Sequence, residues 1–92
     1  MRTLTLSLKR EYFEAIRDGS KVEEFRLCTP YWQQRLKSPF GYYDQIVLTL
    51  GYPPRDDESR RLVRPWAGFT IKTITHPHFS PDPVEVFAIR VN

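Results

Sequence analysis

The sequence predicts a small α+β fold, mainly β: a barrel of five to six short strands with two short helices. Three observations lead there. The chain has 92 residues, 40% of them apolar, which is enough for one modest core and too little for two. Alternation at period two recurs in short segments, the signature of strands. Helical periodicity occurs only twice, early, and the later strands follow one another through irregular connections. A doubly wound sheet would need helices between those later strands. Residues 1–92 are accordingly read as a single domain, without internal repeat, low-complexity tract or linker.

The elements follow in order. Thr3 to Leu8 alternates, with Leu4, Leu6 and Leu8 on one side, and reads as a half-buried strand. In Arg10 to Asp18 the period changes, and Tyr12, Phe13 and Ile16 fall on one helical face. Glu11 and Glu14 suit the start of that helix, and Gly19 fits the left-handed stop just past its end. Alternation resumes in Lys21 to Leu27. Phe25 and Leu27 are expected to face the core, with Glu24 and Arg26 projecting together from the opposite face. Thr29 and Pro30 open a second helix as cap and first residue, with Trp32 and Leu36 on one side. Ser38 to Gly41 reads as a loop, and Asp44 to Leu50 as the clearest strand. Gly51 to Glu58 is polar and proline-bearing, and is the loop expected to be most mobile. Arg61 to Val63 continues as a strand ending before Pro65, and Phe69 to Thr75 alternates as the next. His76 to Pro83 reads as irregular, and Val84 to Val91 as the closing strand.

Composition narrows the function. Fourteen Lys and Arg against 11 Asp and Glu leave a net charge of +3, a mild balance that admits an anionic partner without requiring one. Aromatic residues at 14% argue against intrinsic disorder. One cysteine excludes an internal disulfide and fits a cytoplasmic location. Apolar runs such as Ile46-Val47-Leu48 fall far short of the roughly 20 residues of a membrane helix. The opening Met1-Arg2-Thr3-Leu4 has no apolar stretch, so no signal peptide is read.

No glycine-rich phosphate loop, Gly-x-Ser-x-Gly or His-Glu-x-x-His is present. His76-Pro77-His78 lacks a third ligand of matched spacing, so no metal and no cofactor are implied. Cys28 reads as an inert thiol. Arg55, Arg60, Arg61 and Arg64 form a basic stretch that Asp56, Asp57 and Glu58 partly neutralise, so a solvated loop and an RNA contact both fit. Tyr52, Trp66 and Phe69 fit either base stacking or the core. The most informative segment is Gly19 to Arg26, where Lys21, Glu24 and Arg26 gather at a helix-to-strand junction. A salt-bridge ladder on a surface strand is the competing explanation.

The order of strand, helix Tyr12-Phe13-Glu14-Ala15-Ile16, then Gly19-x-Lys21-x-x-Glu24-x-Arg26 resembles the ASCH domain, a relative of the PUA fold. The resemblance covers most of the chain in element order, including the Val84 to Ile89 strand, and only the Gly-x-Lys-x-x-Glu-x-Arg stretch is a specific match. It implies a PUA-like β-barrel with a cleft beside the first helix, lined by Lys21, Glu24 and Arg26, with RNA or a nucleotide as partner. Some small ASCH-like proteins are N4-acetylcytidine amidohydrolases. Those carry a threonine three residues after the motif lysine, where this chain has Glu24, together with a later glutamate that Glu58 and Glu85 both fit. Other relatives are linked to RNA cleavage.

Three functions follow as expectations. The first is a module binding RNA or a modified nucleoside or nucleotide through Lys21, Glu24 and Arg26, with Tyr52, Arg64 and Trp66 as further contacts. The second is a metal-independent hydrolase of N4-acylcytidine. Glu24 would activate water, and Lys21 or Arg26 would hold the oxyanion. Two cations beside Glu24 would weaken it as a base. The third is a ribonuclease or a structural interaction domain. No membrane partner is expected, and the sequence sets no oligomeric state.

Overall fold

The computed structural model describes residues 1–37, 42–76 and 79–92. The element order is β1 (Thr3–Leu8), α1 (Arg10–Arg17), β2 (Glu23–Leu27), α2 (Pro30–Leu36), β3 (Gln45–Leu50), β4 (Arg61–Pro65), β5 (Phe69–His76) and β6 (Ser80–Arg90), with a single 3-10 turn at Glu58–Arg60 before β4. The fold is therefore α+β and mainly β, with six strands and two helices among the described residues. The strands hydrogen-bond as two three-stranded sheets, β1-β3-β4 and β2-β6-β5, and no pairing among the described residues closes them into one barrel. The predicted loop at Ser38 to Gly41 lies outside the described residues, as do Pro77 and His78. Among the described residues no helix is long and apolar enough to cross a membrane.

Packing groups the residues into two units of interleaved segments. Among the described residues, one holds 1–22, 43–66 and 91–92, and the other 23–37, 42, 67–76 and 79–90.

In the first unit β1 runs parallel to β3, and β4 pairs antiparallel to β3. The register sets Leu4 beside Ile46, Leu6 beside Leu48 and Leu8 beside Leu50. All six are buried, because alternation sends them to one face. Helix α1 supplies Phe13 and Ile16, both wholly buried, at the spacing its sequence predicts. The helix stops at Gly19, whose φ of +88° lies in the left-handed region.

The loop expected to be most mobile is heavily tied. Arg60 Nη2 donates to the Leu50 carbonyl at 3.0 Å, and Arg61 Nη2 to the carbonyls of Pro53 and Pro54, each at 3.1 Å. Thr49 Oγ1 and Ser7 Oγ both donate to the Gly51 carbonyl. Proline-rich backbone is short of N–H donors, and its carbonyls are met here by guanidinium groups.

In the second unit β6 is the central strand, antiparallel to β2 and β5. Val86, Phe87, Ala88 and Ile89 are at most 1% exposed, so both faces of its middle are covered. This strand begins at Ser80, earlier than the alternation from Val84 predicts. The Glu85 carbonyl points away from β5 and accepts from Cys28 N–H. Pro83, two residues earlier, turns its missing donor the same way, past the end of the pairing with β2, so no ladder bond is lost. Helix α2 is capped as predicted: Thr29 Oγ1 accepts from Trp32 N–H, Pro30 occupies the first turn, and Leu36 is buried.

Truncation of Leu48 to Ala is expected to cost about 3 kcal/mol in chemical denaturation. Gly19→Ala, where an added Cβ meets no atom within 4 Å, costs about 1 kcal/mol from backbone strain alone.

Candidate functional site

The motif begins in the first unit with a turn. Beyond Gly19, the Asp18 carboxylate accepts from Ser20 N–H at 2.8 Å, and Lys21 N–H donates to the Ala15 carbonyl at 3.0 Å. The bonds from Ser20 hold the Asp18 carboxyl below its ordinary range. Asn92 Nδ2 donates to the carbonyls of Ile16 and Lys21, each at 2.8 Å, and its Oδ1 accepts from Arg64 Nε at 3.2 Å. Arg64 therefore braces the backbone that carries Lys21. The Lys21 ammonium sits 5.2 Å from the centre of the Tyr12 ring.

The rest of the motif lies on β2 in the second unit. Arg26 Nη2 donates to Glu24 Oε2 at 2.9 Å, so the two side chains meet on one strand face, as their spacing predicts. That face is not the solvent face. Glu24 is only 7% exposed, while Phe25 and Leu27 are half-buried, and their expected placement as the inner face is corrected accordingly. The register gives the reason: Glu24 pairs with Ile89 and Arg26 with Phe87 on the central strand, where both faces are covered. Apolar content then no longer marks the inward side. The Arg26 guanidinium also lies 5.4 Å from the centre of the Trp32 ring on α2. Carboxylate, guanidinium and indole form one stack, and each group orients the next. Trp32 was not among the residues predicted for the site. Its signal in the sequence was an aromatic one turn ahead of a buried Leu36, which reads equally well as core.

The other predicted contacts belong to the first unit. Tyr52 is 93% exposed on the loop after β3. Trp66 packs edge-on against Tyr43 with ring centres 5.1 Å apart. Cys28 has its thiol pushed upward by burial and then by the Glu85 carboxylate, with Lys37 opposing, which fits the inert reading. Among the described residues no group of three or more His, Cys, Asp or Glu side chains is placed to hold a metal ion.

On the reverse face of the second sheet lies a shallow hollow of about 170 Å³, lined by Glu23, Gly68, Thr70, Ala88 and Arg90 among others. Its Glu23 carboxylate is engaged by Lys72 Nζ at 2.6 Å.

Family models, curated proteins and solved structures were compared with the chain, and none matches it.

Replacing Arg26 by Met takes the guanidinium from a buried carboxylate and is expected to cost about 2 kcal/mol, because Arg26 is itself part-exposed and a fully buried pair costs more. Glu24→Gln, which leaves an acceptor for the guanidinium, costs about half as much. Thermal unfolding of the two variants checks the order. For Asp18, the lowered carboxyl contributes stability above its unfolded value near 3.8, and this is lost as pH falls through the folded value. Asp18→Ala should therefore be destabilised at neutral pH, and the gap to the wild type should narrow below about pH 3.8 in acid titration of unfolding.

Proposed function

We propose that this protein is an ASCH-type module that binds RNA or a nucleoside or nucleotide, with Glu24 and Arg26 at the contact. The observation that carries the reading is the stack itself: a carboxylate more than nine-tenths buried, bonded to a guanidinium that lies over an indole ring. A buried ion pair returns little to stability when weighed against apolar side chains of the same size, so stability alone is a weak reason for this arrangement. An ion pair held this firmly suits the recognition of a polar ligand.

Each group has a chemistry suited to a nucleotide. Arg26 offers a planar donor fork for a phosphate or for the acceptor edge of a base. Glu24 accepts from an exocyclic amine or a ribose hydroxyl. Trp32 supplies an aromatic face of the kind on which unpaired bases stack. The net charge of +3 suits a few such contacts better than a long duplex. Lys21 joins the reading on the strength of the motif resemblance. Arg64 and Trp66 act in support, as the brace of the Lys21 backbone and the neighbour of Tyr43.

The test is calorimetric titration with cytidine, cytidine monophosphate and a short single-stranded RNA at two salt concentrations. Arg26→Lys, which keeps the charge and removes the fork, and Glu24→Gln are each expected to weaken binding about tenfold. If the wild type shows no saturable binding of any of the three, the reading fails. The same protein is incubated with N4-acetylcytidine. Release of cytidine that disappears in Lys21→Ala would replace a binding module by a hydrolase.

A further inference from the structure

Helix α2 carries more than the ring beneath Arg26. Tyr31 and Trp32 meet edge-to-face with centres 5.2 Å apart and planes at 89°, and the Arg35 guanidinium lies 4.5 Å from the centre of the Tyr31 ring. Together with Arg26 over Trp32, this makes a continuous strip of two rings with a guanidinium at each end: Arg35, Tyr31, Trp32, Arg26. Leu36, which is 1% exposed, anchors the helix, whereas Tyr31 is 56% exposed and Arg35 is open to solvent. A tyrosine braced by a neighbouring ring and a guanidinium has less rotamer freedom to lose when a flat ligand covers it.

The charge on the strip is one-sided. Helix α2 contains no acidic residue, and Arg35 and Lys37 stand at its end. Resting on the nucleotide-binding reading, we propose that the strip extends that site into a platform for an unpaired RNA strand. One nucleotide would be held at Glu24 and Arg26, and the neighbouring bases would stack along Trp32, Tyr31 and Arg35. Paired rings flanked by arginines suit a single strand of any sequence, since every base has a π-face and every linkage a phosphate. A duplex hides its base faces and offers the strip only its phosphates.

Fluorescence anisotropy with a labelled, unstructured RNA of about eight nucleotides tests this, with cytidine monophosphate, an RNA duplex and the matching DNA strand as competitors. The wild type should bind the strand at least about tenfold more tightly than the mononucleotide. Tyr31→Ala should cost the strand about tenfold and Arg35→Ala about fivefold, removing most of that advantage. Arg55→Ala deletes the same charge from an exposed loop and should stay within about twofold. A DNA strand that competes equally supports the stacking platform and places no contact on the 2′-hydroxyl. RNA preferred over DNA supports it and adds that contact. The platform is overturned if the strand binds no more tightly than the mononucleotide, if the duplex competes as well as the strand, or if Arg55→Ala costs as much as Arg35→Ala. In those cases a mononucleotide that still binds and still responds to Glu24→Gln leaves the underlying site intact. Failure of mononucleotide and strand alike removes both.

Discussion

A carboxylate taken out of water costs several kcal/mol unless a cation and further hydrogen bonds meet it. Glu24 stands under that constraint on β2, and the arrangement around it follows. Arg26 lies two residues on, so strand geometry brings its guanidinium to the same face and within 2.9 Å of the carboxylate. The guanidinium, bonded to the acid, lies over the Trp32 ring. Trp32 is in turn set by a helix whose start is determined by the Thr29 cap and Pro30 and whose packing is determined by Leu36. Local rules thus pair Glu24 with Arg26 and start the helix that carries Trp32, and tertiary packing brings the two together.

A second theme is the use of arginine. Arg60 and Arg61 spend their guanidinium donors on backbone carbonyls at Leu50, Pro53 and Pro54, and Arg64 spends Nε on Asn92. These contacts hold a proline-bearing loop and the backbone at Lys21. In the sequence the same residues form a basic stretch open to an RNA reading. Charge counts ligands only after the donors engaged inside the protein are subtracted, whereas Arg26 and Arg35 lie over the rings of Trp32 and Tyr31.

Local pattern made much of the architecture legible. The alternations at Leu4 to Leu8 and Ile46 to Leu50 mark β1 and β3, the cluster of Tyr12, Phe13 and Ile16 marks α1, and Thr29-Pro30 marks the start of α2. The shared face of Glu24 and Arg26 was also readable, because a period of two is a property of the backbone. Three features were not. The early start of β6 is hidden by Pro81 and Pro83, which local rules assign to irregular chain. The inward face of β2 was misplaced, since alternation reports burial only where one side of a sheet meets water. Trp32 looked like ordinary core at helical spacing.

Taken alone, the sequence determined the fold class, the strand and helix types, their caps, and which charged side chains share a strand face. These depend on φ and ψ preferences and on periodicity, which act over a few neighbouring residues. Only the tertiary structure decided that β6 is covered on both faces, that Glu24 is therefore buried, that Arg26 lies over Trp32, and that Arg60, Arg61 and Arg64 are turned to backbone bracing. Those outcomes depend on strand order and register between segments as far apart as residues 24 and 89, and on where desolvation makes an ion pair obligatory.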